Sequence, residues 1–359
     1  MKELLVDAYC NKNLGDDLFL KILFERYNNV NFTILNAPKE YKEIFKGVNI
    51  QNSNKKHKLL FRLAPFYFTK KFEGFLLIGG SMFMQNETWK KDIKKKTRVI
   101  NNFINEKKEV FILGSNFGPF FNNTFYDNYN RIFKNCSDIC FRESYSYNLF
   151  KHLTNVRLAP DIVFQLKEEE IPKRKNTVGF SLINLENRNN LREFSNQYLN
   201  KMLELIKSYI DDGKIITLFS FCDSEGDMDV INKILNRMSV DYLNKIKVIN
   251  YTGNIKEFLN EFKSMEVIIG SRFHSIILAQ VFKQGFYPII YSDKTYNVLQ
   301  DIQLNDYYKY IKDIDSLDVN QVIDIAQNNK IDDTEFFRDS ESHFSLLDDF
   351  LNRNIVDEK

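Results

Sequence analysis

The sequence of 359 residues predicts an α/β protein made of two Rossmann-like domains, each with a parallel β-sheet. Two observations carry this prediction. Short apolar runs alternate with helical patterns along almost the whole chain, which is typical of parallel sheets covered by helices. The alternation stops once, between Lys167 and Asn176, where the chain is charged, contains Pro172 and lacks apolar periodicity. A chain of this length can bury two cores, so we predict one domain on each side of that stretch.

Six strands and three helices are predicted in the N-terminal half. The strands are Leu4–Tyr9, Asn31–Leu35, Phe75–Ile78, Val110–Leu113, Ile139–Phe141 and Val156–Leu158. The helices are Asp16–Tyr27, Asp92–Glu106 and Tyr145–His152. Asp16 and Ser144 are predicted as N-caps, because a short side-chain oxygen can accept a hydrogen bond from a free N–H of the first turn.

The same alternation resumes after the charged stretch. The predicted strands are Thr177–Leu182, Lys214–Phe219, Lys247–Tyr251, Val267–Ile269 and Pro288–Tyr291. The predicted helices are Gln197–Tyr209, Asp229–Met238, Ile255–Phe262, Arg272–Phe282 and a helical tail from Ser316 to Leu351. The predicted organisation is an N-terminal domain (1–168), a linker (169–176), a C-terminal domain (177–334) and a tail (335–359).

Composition excludes several classes of protein. The 50 Lys and Arg residues nearly balance the 48 Asp and Glu residues, so the net charge of +2 does not favour nucleic acid as a partner.

Cys136 and Cys140 are four residues apart, but no second Cys/His pair completes a zinc site, and we expect reduced thiols and no metal. No GxGxxG or Walker A pattern occurs, so no nucleotide cofactor is indicated. No apolar stretch has the length of a transmembrane helix, and the N-terminal residues do not resemble a signal peptide, so we expect a cytoplasmic protein.

The most informative segment joins the predicted strand Val267–Ile269 to the helix that follows it. Ser271, Arg272 and His274 lie at the start of that helix. A helix N-terminus presents free N–H groups and a partial positive charge, and an arginine there costs about 0.3–1 kcal/mol unless an anion lies beside it. We therefore predict an anion site with a proton-transfer group next to it. His57, His152 and His343 lack such a setting and are expected to be surface or packing residues.

Polar residues follow several other predicted strands. Because ligands of such sheets bind at the carboxyl ends of strands, these positions are candidate site residues. Each also has an ordinary structural interpretation: a capped helix start, a tight turn, a rigid loop or an ion pair of Arg142. The candidates are Asn13, Gly15, Asp16 and Asp17 after the first strand, Gly79 and Gly80, Ser115 and Asn116, Arg142, and Asp161.

Taken together, these segments resemble the polysaccharide pyruvyl transferase family. The resemblance rests on segments that occur in chain order: Asn13-Leu14-Gly15-Asp16-Asp17, Gly79-Gly80-Ser81-Met82-Phe83, Gly114-Ser115-Asn116-Phe117-Gly118-Pro119, Arg142-Glu143-Ser144-Tyr145-Ser146, Ala159-Pro160-Asp161-Ile162, Ser271-Arg272-Phe273-His274, and Lys294 in Tyr291-Ser292-Asp293-Lys294. Two residues depart from the family pattern. Ser81 stands where the family often has a third glycine, and Phe273 stands where it often has a leucine.

The resemblance implies a glycosyltransferase-B-like arrangement of two Rossmann-like domains. It also implies phosphoenolpyruvate as the donor, a glycan hydroxyl pair as the acceptor and a pyruvate ketal as the product, in cell-surface polysaccharide biosynthesis. The N-terminal domain would be the acceptor side and the C-terminal domain the donor side. Phosphoenolpyruvate would act as a co-substrate, and no cofactor is expected.

Roles for individual residues follow from that chemistry. Two anionic groups close together call for fixed cations, and the guanidinium groups of Arg142 and Arg272 match both phosphate and carboxylate. Ser271 and Lys294 complete the predicted donor site. His274 is predicted as the general acid near neutral pH. Asp161 or Asp16 is predicted as the base or as the residue that orients the sugar.

Two other functions fit the same pattern. One is a glycosyltransferase of similar architecture that uses a nucleotide sugar. The other is a non-catalytic binding protein of a glycan pathway, in which the arginines and the histidine are structural. The acceptor could be a free glycan, a polymer or a lipid-linked oligosaccharide, and a lipid-linked acceptor would bring the protein to the inner membrane face.

Overall fold

The fold is described from a computed structural model, which covers residues 2–48, 50–52, 65–188, 190–302, 304, 307–330 and 334–353. The chain divides into two compact units. The N-terminal unit consists of Met1–Cys10, Asp16–Gln165 and Thr334–Lys359, and the C-terminal unit of Asn11–Gly15 and Leu166–Asp333. The predicted N-terminal domain and tail thus group together, and the predicted linker ends inside a strand that begins at Arg174.

The N-terminal unit contains a seven-stranded parallel sheet with the strand order β3-β2-β1-β4-β5-β6-β7. Its strands are β1 (Glu3–Asp7), β2 (Asn31–Ile34), β3 (Ile50–Asn52), β4 (Gly74–Ile78), β5 (Glu109–Ser115), β6 (Asp138–Phe141) and β7 (Val156–Leu158). Its helices are α1 (Leu14–Arg26), α2 (Tyr41–Ile44), α3 (Pro65–Thr69), α4 (Trp89–Asn105), α5 (Asn123–Phe133) and α6 (Ser144–Phe150), with α14 (Thr334–Ser340) and α15 (Ser345–Arg353) from the end of the chain.

The C-terminal unit contains a six-stranded parallel sheet with the order β10-β9-β8-β11-β12-β13. Its strands are β8 (Arg174–Ser181), β9 (Ile215–Ser220), β10 (Ile246–Asn250), β11 (Met265–Gly270), β12 (Gly285–Ile290) and β13 (Lys309–Tyr310). Its helices are α7 (Ser195–Asp211), α8 (Asp227–Leu235), α9 (Val240–Leu243), α10 (Ile255–Lys263), α11 (Phe273–Val281), α12 (Asp293–Asp301) and α13 (Val319–Asn328).

Both sheets reverse their strand order beside their first strand. In the N-terminal unit Leu4 of β1 pairs with Phe32 on one side and with Gly74 on the other. In the C-terminal unit β8 lies between β9 and β11 in the same way. Parallel sheets with helices on both faces bind ligands where the order reverses, at the carboxyl ends of the strands. The predicted fold class, two Rossmann-like domains with parallel sheets, is confirmed.

An aromatic core fixes the loop that follows β5. The buried ring of Phe117 lies 4.8 Å from the ring of Phe150, 5.3 Å from that of Phe125 and 5.6 Å from that of Tyr129. Aromatic pairs at these separations stabilise a core beyond the area they bury. This packing of Phe117 therefore fixes the position of the preceding residues Ser115 and Asn116.

Helix α5 is among the elements that sequence analysis missed. Its segment is rich in asparagine, which has a low helix propensity, and this obscured the apolar positions Phe125, Tyr129 and Ile132 on one face. The side chain of Asn122 caps the helix by accepting a hydrogen bond from the Phe125 N–H at 3.0 Å. Strand β3 and helix α12 were also missed.

The predicted N-caps Asp16 and Ser144 are wrong. Helix α1 begins at Leu14, two residues before Asp16, and Asn13 Oδ1 accepts a hydrogen bond from the Gly15 N–H at 3.1 Å. Helix α6 begins at Ser144 itself, and Glu143 caps it by accepting from the Ser146 N–H. In both cases a neighbouring side chain supplies the acceptor, which shifts the helix start by one or two residues.

The end of the chain completes the N-terminal unit. Arg26 donates to Asp348 at 2.5 Å, and the Tyr27 hydroxyl donates to the same carboxylate at 2.7 Å. Arg157 Nη1 donates to the Ser342 carbonyl at 2.8 Å. The buried ring of His343 bonds through Nε2 to the Pro160 carbonyl at 2.8 Å. His152 is exposed, and His57 lies outside the described residues.

We expect His343 to make the unfolding free energy depend on pH. Burial lowers the pKa of His343 from 6.5 to about 3. Below pH 6.5 the unfolded chain therefore binds a proton at His343, whereas the folded chain keeps this residue neutral. The stability that neutral His343 contributes is complete above pH 6.5 and is lost as the pH falls toward 3. Between pH 6.5 and pH 5 the loss should be about 2 kcal/mol, at about 1.4 kcal/mol per pH unit.

Urea unfolding at several pH values measures this loss. The variant His343→Gln should have a flatter profile between pH 6.5 and pH 5, whereas His152→Gln, at an exposed position, should keep the wild-type slope. An unchanged slope in His343→Gln would show that other groups cause the acid sensitivity.

Candidate active site

A buried ion pair ties together the carboxyl ends of four strands in the N-terminal unit. Arg142, directly after β6, donates to Asp161 Oδ2 at 2.8 Å and to Asn116 Oδ1 at 2.7 Å. Asn116 follows β5, and its N–H donates to the carbonyl of Gly80 after β4 at 2.9 Å. The side chains of Arg142 and Asp161 are 1% and 0% exposed. The second oxygen of Asp161 accepts from the Val163 N–H at 2.9 Å, so both oxygens of this carboxylate are engaged.

Glycine is required at position 80 for this arrangement. A Cβ on Gly80 would lie 2.5 Å from Arg142 Nη2 and 2.7 Å from Cζ. The guanidinium thus lies directly against the backbone of the loop after β4. Next to it, the Ser115 hydroxyl donates to the Gly79 carbonyl at 2.7 Å. The structure therefore brings Gly79, Gly80, Ser115, Asn116, Arg142 and Asp161 together.

Acidic side chains lie at the start of α1 and the end of β1. Asp17 is buried and accepts a hydrogen bond from the Tyr41 hydroxyl at 2.7 Å. Asp16 is half-buried, and its Oδ1 lies 3.8 Å from the point where a Cβ on Gly79 would stand. Burial raises the pKa of Asp7, the last residue of β1, against the opposing charge of Lys96.

Lys96 fixes the loop that follows β4. Its Nζ donates to the Met82 carbonyl at 2.5 Å and lies 4.9 Å from the centre of the Phe83 ring, and burial lowers its pKa. Sequence analysis missed Lys96 and Asp7, because Lys96 is part of a basic run on a helix and Asp7 was assigned to the interior of a longer strand.

In the C-terminal unit, Arg272 is bound by two carboxylates. Its Nε lies 3.0 Å from Asp227 Oδ2, its Nη2 also donates to Asp227, and its Nη1 donates to Glu225 at 2.5 Å. Burial would lower the pKa of Arg272, but the two carboxylates raise it well above its ordinary value. Asp227 Oδ2 also accepts from the N–H groups of Phe221 and Cys222 at 3.0 Å each. Arg272 therefore holds the turn after β9 in place.

Helix α11 begins at Phe273, so Arg272 occupies the cap position and His274 is the second helical residue. Ser271 lies one residue before this cap position. The Ser271 hydroxyl is paired with the hydroxyl of Tyr198 at 2.8 Å. The N–H groups of Ser271 and Arg272 donate instead to the Ser181 hydroxyl at the end of β8, at 3.1 Å each.

The ring of His274 packs on the backbone of the segment Asn11–Gly15. A Cβ on Gly15 would lie 1.7 Å from His274 Nδ1, so only glycine lets the imidazole lie there. Asn13 Nδ2 donates to Glu225 Oε1 at 3.3 Å. The structure thus brings Asn13 and Gly15, which the chain order separates widely from α11, to the same place as His274 and Arg272.

Further cations lie at the end of β12. Arg188 Nη2 donates to Glu225 at 3.1 Å, and its guanidinium carbon lies 4.6 Å from the centre of the Tyr291 ring. Lys294 Nζ lies 5.8 Å from the centre of the Phe273 ring. Burial would raise the pKa of Tyr291, but Lys294, Arg188 and Arg272 lower it overall. Sequence analysis missed Arg188, Glu225, Asp227 and Tyr291, although each of these charged or phenolic residues follows a strand.

The described residues contain neither a metal-binding cluster nor a membrane-spanning helix. No group of three or more His, Cys, Asp or Glu side chains within those residues is placed to hold a metal ion. In the same part of the chain, no helix combines the length and the apolar character needed to cross a membrane.

Similar folds occur in solved structures, among them three that are 11% to 13% identical to this chain. UDP-GlcNAc 2-epimerase from Methanocaldococcus jannaschii is 13% identical, with a TM-score of 0.59 over 97% of this chain and 99% of that one. S. aureus MnaA, solved with UDP, is 11% identical, with a TM-score of 0.57 over 98% of this chain and 97% of that one. Anabaena Alr3699/HepE, solved with UDP and glucose, is 11% identical, with a TM-score of 0.51 over 100% and 99%. These likenesses confirm the glycosyltransferase-B-like fold class.

The sequence comparisons are more specific. No curated protein matches the chain. The family model of the polysaccharide pyruvyl transferases matches residues 13–293, well over half of the chain, and the match begins at Asn13 and ends next to Lys294. The match includes the strand ends of both units described above and supports a role in pyruvyl transfer during glycan biosynthesis. The chain therefore belongs to the polysaccharide pyruvyl transferase family.

Proposed function

We propose that this protein transfers a pyruvyl group from phosphoenolpyruvate to two hydroxyl groups of a glycan and forms a pyruvate ketal. The observation that carries the proposal is the family match over residues 13–293, which ends beside a cationic group of side chains around β11 and β12. Protonation of the enol carbon makes the neighbouring carbon electrophilic. One hydroxyl adds there, inorganic phosphate leaves, and the second hydroxyl closes the ketal. The two hydroxyls release two protons, which balance the proton gained by the enol carbon and the proton that leaves on hydrogen phosphate.

The donor site is proposed around the start of α11. Phosphoenolpyruvate carries a phosphate and a carboxylate, and three cations, Arg272, Lys294 and Arg188, act on the Tyr291 hydroxyl at this place and lower its pKa. Arg272 would act through the turn that it holds, because its nitrogens are bound to carboxylates. His274, the second residue of α11, is proposed as the general acid that protonates the enol carbon.

The acceptor side is proposed on the N-terminal unit. Asp16 is the better candidate for the base, because it is half-buried at the carboxyl end of the sheet and open to a substrate, whereas the side chain of Asp161 is 0% exposed. The orientation of Arg142 is fixed by Asp161 and Asn116, so this arginine holds the strand ends of the same unit in place. A nucleotide-sugar transferase is the alternative, and UDP is the competing titrant in the experiments below.

We expect His274→Gln to lower kcat by about 10²- to 10⁴-fold, because general acid catalysis contributes that much, and to change the Kd for phosphoenolpyruvate little. Ketal formation on a glycan panel and calorimetric titration of phosphoenolpyruvate measure the two quantities. His152→Gln is the matched control and should leave both unchanged. A variant that lost donor affinity with a normal kcat would contradict the acid role.

We expect Asp16→Asn and Asp161→Asn to fail in different ways. Asp16→Asn should lower kcat and leave the melting temperature close to wild type. Asp161→Asn should mainly destabilise the protein, because breaking a buried pair leaves Arg142 as an uncompensated charge at a cost of about 3–5 kcal/mol. Thermal melts and turnover on the same samples distinguish the two. A stable but inactive Asp161→Asn protein would make Asp161 the better candidate for the base.

We expect Asp227→Asn to be less stable than wild type by several kcal/mol, since it weakens the buried pair with Arg272. Urea unfolding measures this loss. Asp229→Asn, on the same helix, is the control and should be close to neutral. If Asp227→Asn is as stable as wild type, the turn does not depend on the ion pair.

A further inference from the structure

Arg188 differs from the two arginines predicted from the sequence in how open its side chain is. The Arg188 side chain is 30% exposed, whereas that of Arg272 is 7% exposed and that of Arg142 is 1% exposed. A guanidinium must reach a ligand to bind it, and burial beside carboxylates restricts Arg142 and Arg272. Of these three arginines, Arg188 is therefore the one that an incoming anion can reach most directly.

The contacts of Arg188 leave it partly uncompensated. Among the described residues, its side chain donates a hydrogen bond only to Glu225 Oε2, at 3.1 Å. The same carboxylate accepts from Arg272 at 2.5 Å and from Asn13 at 3.3 Å. One carboxylate is thus shared by two arginines. Asp227 is bound to Arg272, and Glu225 is bound to both Arg272 and Arg188. The negative charge of Glu225 therefore neutralises the positive charge of Arg188 only in part.

The ring of Tyr291 sets the plane in which Arg188 can bind. The guanidinium carbon lies 4.6 Å from the ring centre, a cation–π distance. Guanidinium groups stack on aromatic faces and use their N–H edges for bidentate contacts to phosphate or carboxylate. Lys294, Arg188 and Arg272 also lower the pKa of Tyr291, although its burial and the charge of Glu225 act in the opposite direction.

We propose that Arg188, stacked on Tyr291 and assisted by Lys294, binds an anionic group of the donor. The proposal rests on the proposed function for the identity of that donor, phosphoenolpyruvate, and assigns Arg188 as a donor-binding residue. Arg272 then serves as a positioning residue: it holds Glu225, and Glu225 in turn holds Arg188. This division of roles between Arg188 and Arg272 explains why the arginine at the start of α11 is bound by carboxylates of its own domain.

The test compares Arg188→Gln with Arg237→Gln. Arg237 is an exposed arginine of the same unit that donates to Asn200 at 3.1 Å, so its variant controls for loss of a surface charge. Calorimetric titration with phosphoenolpyruvate should give a Kd about 10- to 100-fold weaker for Arg188→Gln, the range for one charge-assisted hydrogen bond. Arg237→Gln should stay within about twofold of wild type. KM should rise with the Kd, while kcat at saturating donor changes less.

A second variant tests whether the weaker binding results from misfolding. Arg188→Lys keeps the positive charge beside Glu225 but lacks the planar fork, so it should melt like wild type and bind the donor with intermediate affinity. If either variant binds phosphoenolpyruvate as tightly as wild type does, while wild type forms ketals, the assignment of Arg188 is overturned and the proposed function stands.

Failure of the proposed function has a different signature. Wild type would then bind no phosphoenolpyruvate and form no ketal. If inorganic phosphate or UDP still bound to wild type and bound more weakly to Arg188→Gln, the anion subsite would stand with a different ligand. If wild type bound none of the three anions, the subsite itself would be overturned.

Discussion

The ion pair between Arg272 and Asp227 is the interaction on which the candidate donor site depends. It joins Arg272, the second residue after β11, to the first residue of α8, and Asp227 also accepts two backbone hydrogen bonds from the residues just after β9. A buried charge pair of this kind is stable only when further hydrogen bonds satisfy both partners, and here they do. Glu225 is bound by Arg272, and Arg188 is bound by Glu225, so both of these groups are placed through this pair.

Both units use a buried arginine–aspartate pair at the carboxyl edge of the sheet. In the N-terminal unit Arg142 and Asp161 join the ends of β6 and β7, and in the C-terminal unit Arg272 and Asp227 join β11 and α8. Strand ends in parallel sheets lack the covalent turns that tighten hairpins, because each strand is followed by a long crossover. Buried ion pairs at these edges hold several loops in one arrangement. In the proposed sites, the half-exposed neighbours of these pairs are the side chains that would bind a ligand.

Glycine contributes to each site through close approach. Gly80 lets the guanidinium of Arg142 lie against the backbone, and Gly15 does the same for the ring of His274. Gly15 and His274 are much farther apart along the chain than Gly80 and Arg142 are. The family match covers both the segment of Gly15 and the segment of His274. The contact between them gives a physical reason for a glycine after Asn13-Leu14.

The sequence by itself determined the fold class and most of the strands, because the period of apolar residues and the glycine-rich strand ends are local signals. It also identified Arg142, Asp161, Arg272 and His274 as polar residues at strand ends. Helix starts were less certain, since Asn13 and Glu143 compete with their neighbours as caps and only the backbone geometry decides between them.

Only the tertiary structure decided which charges pair with which. Nothing local in the sequence links Arg272 to Asp227, or lets Arg188 share Glu225 with Arg272 and stack on Tyr291. These contacts arise because strands β8, β9, β11 and β12 end at one edge of a sheet whose order differs from the order of the chain. Whether an arginine is buried in an ion pair or open to a ligand is therefore a property of that edge and not of the motif in which the arginine occurs.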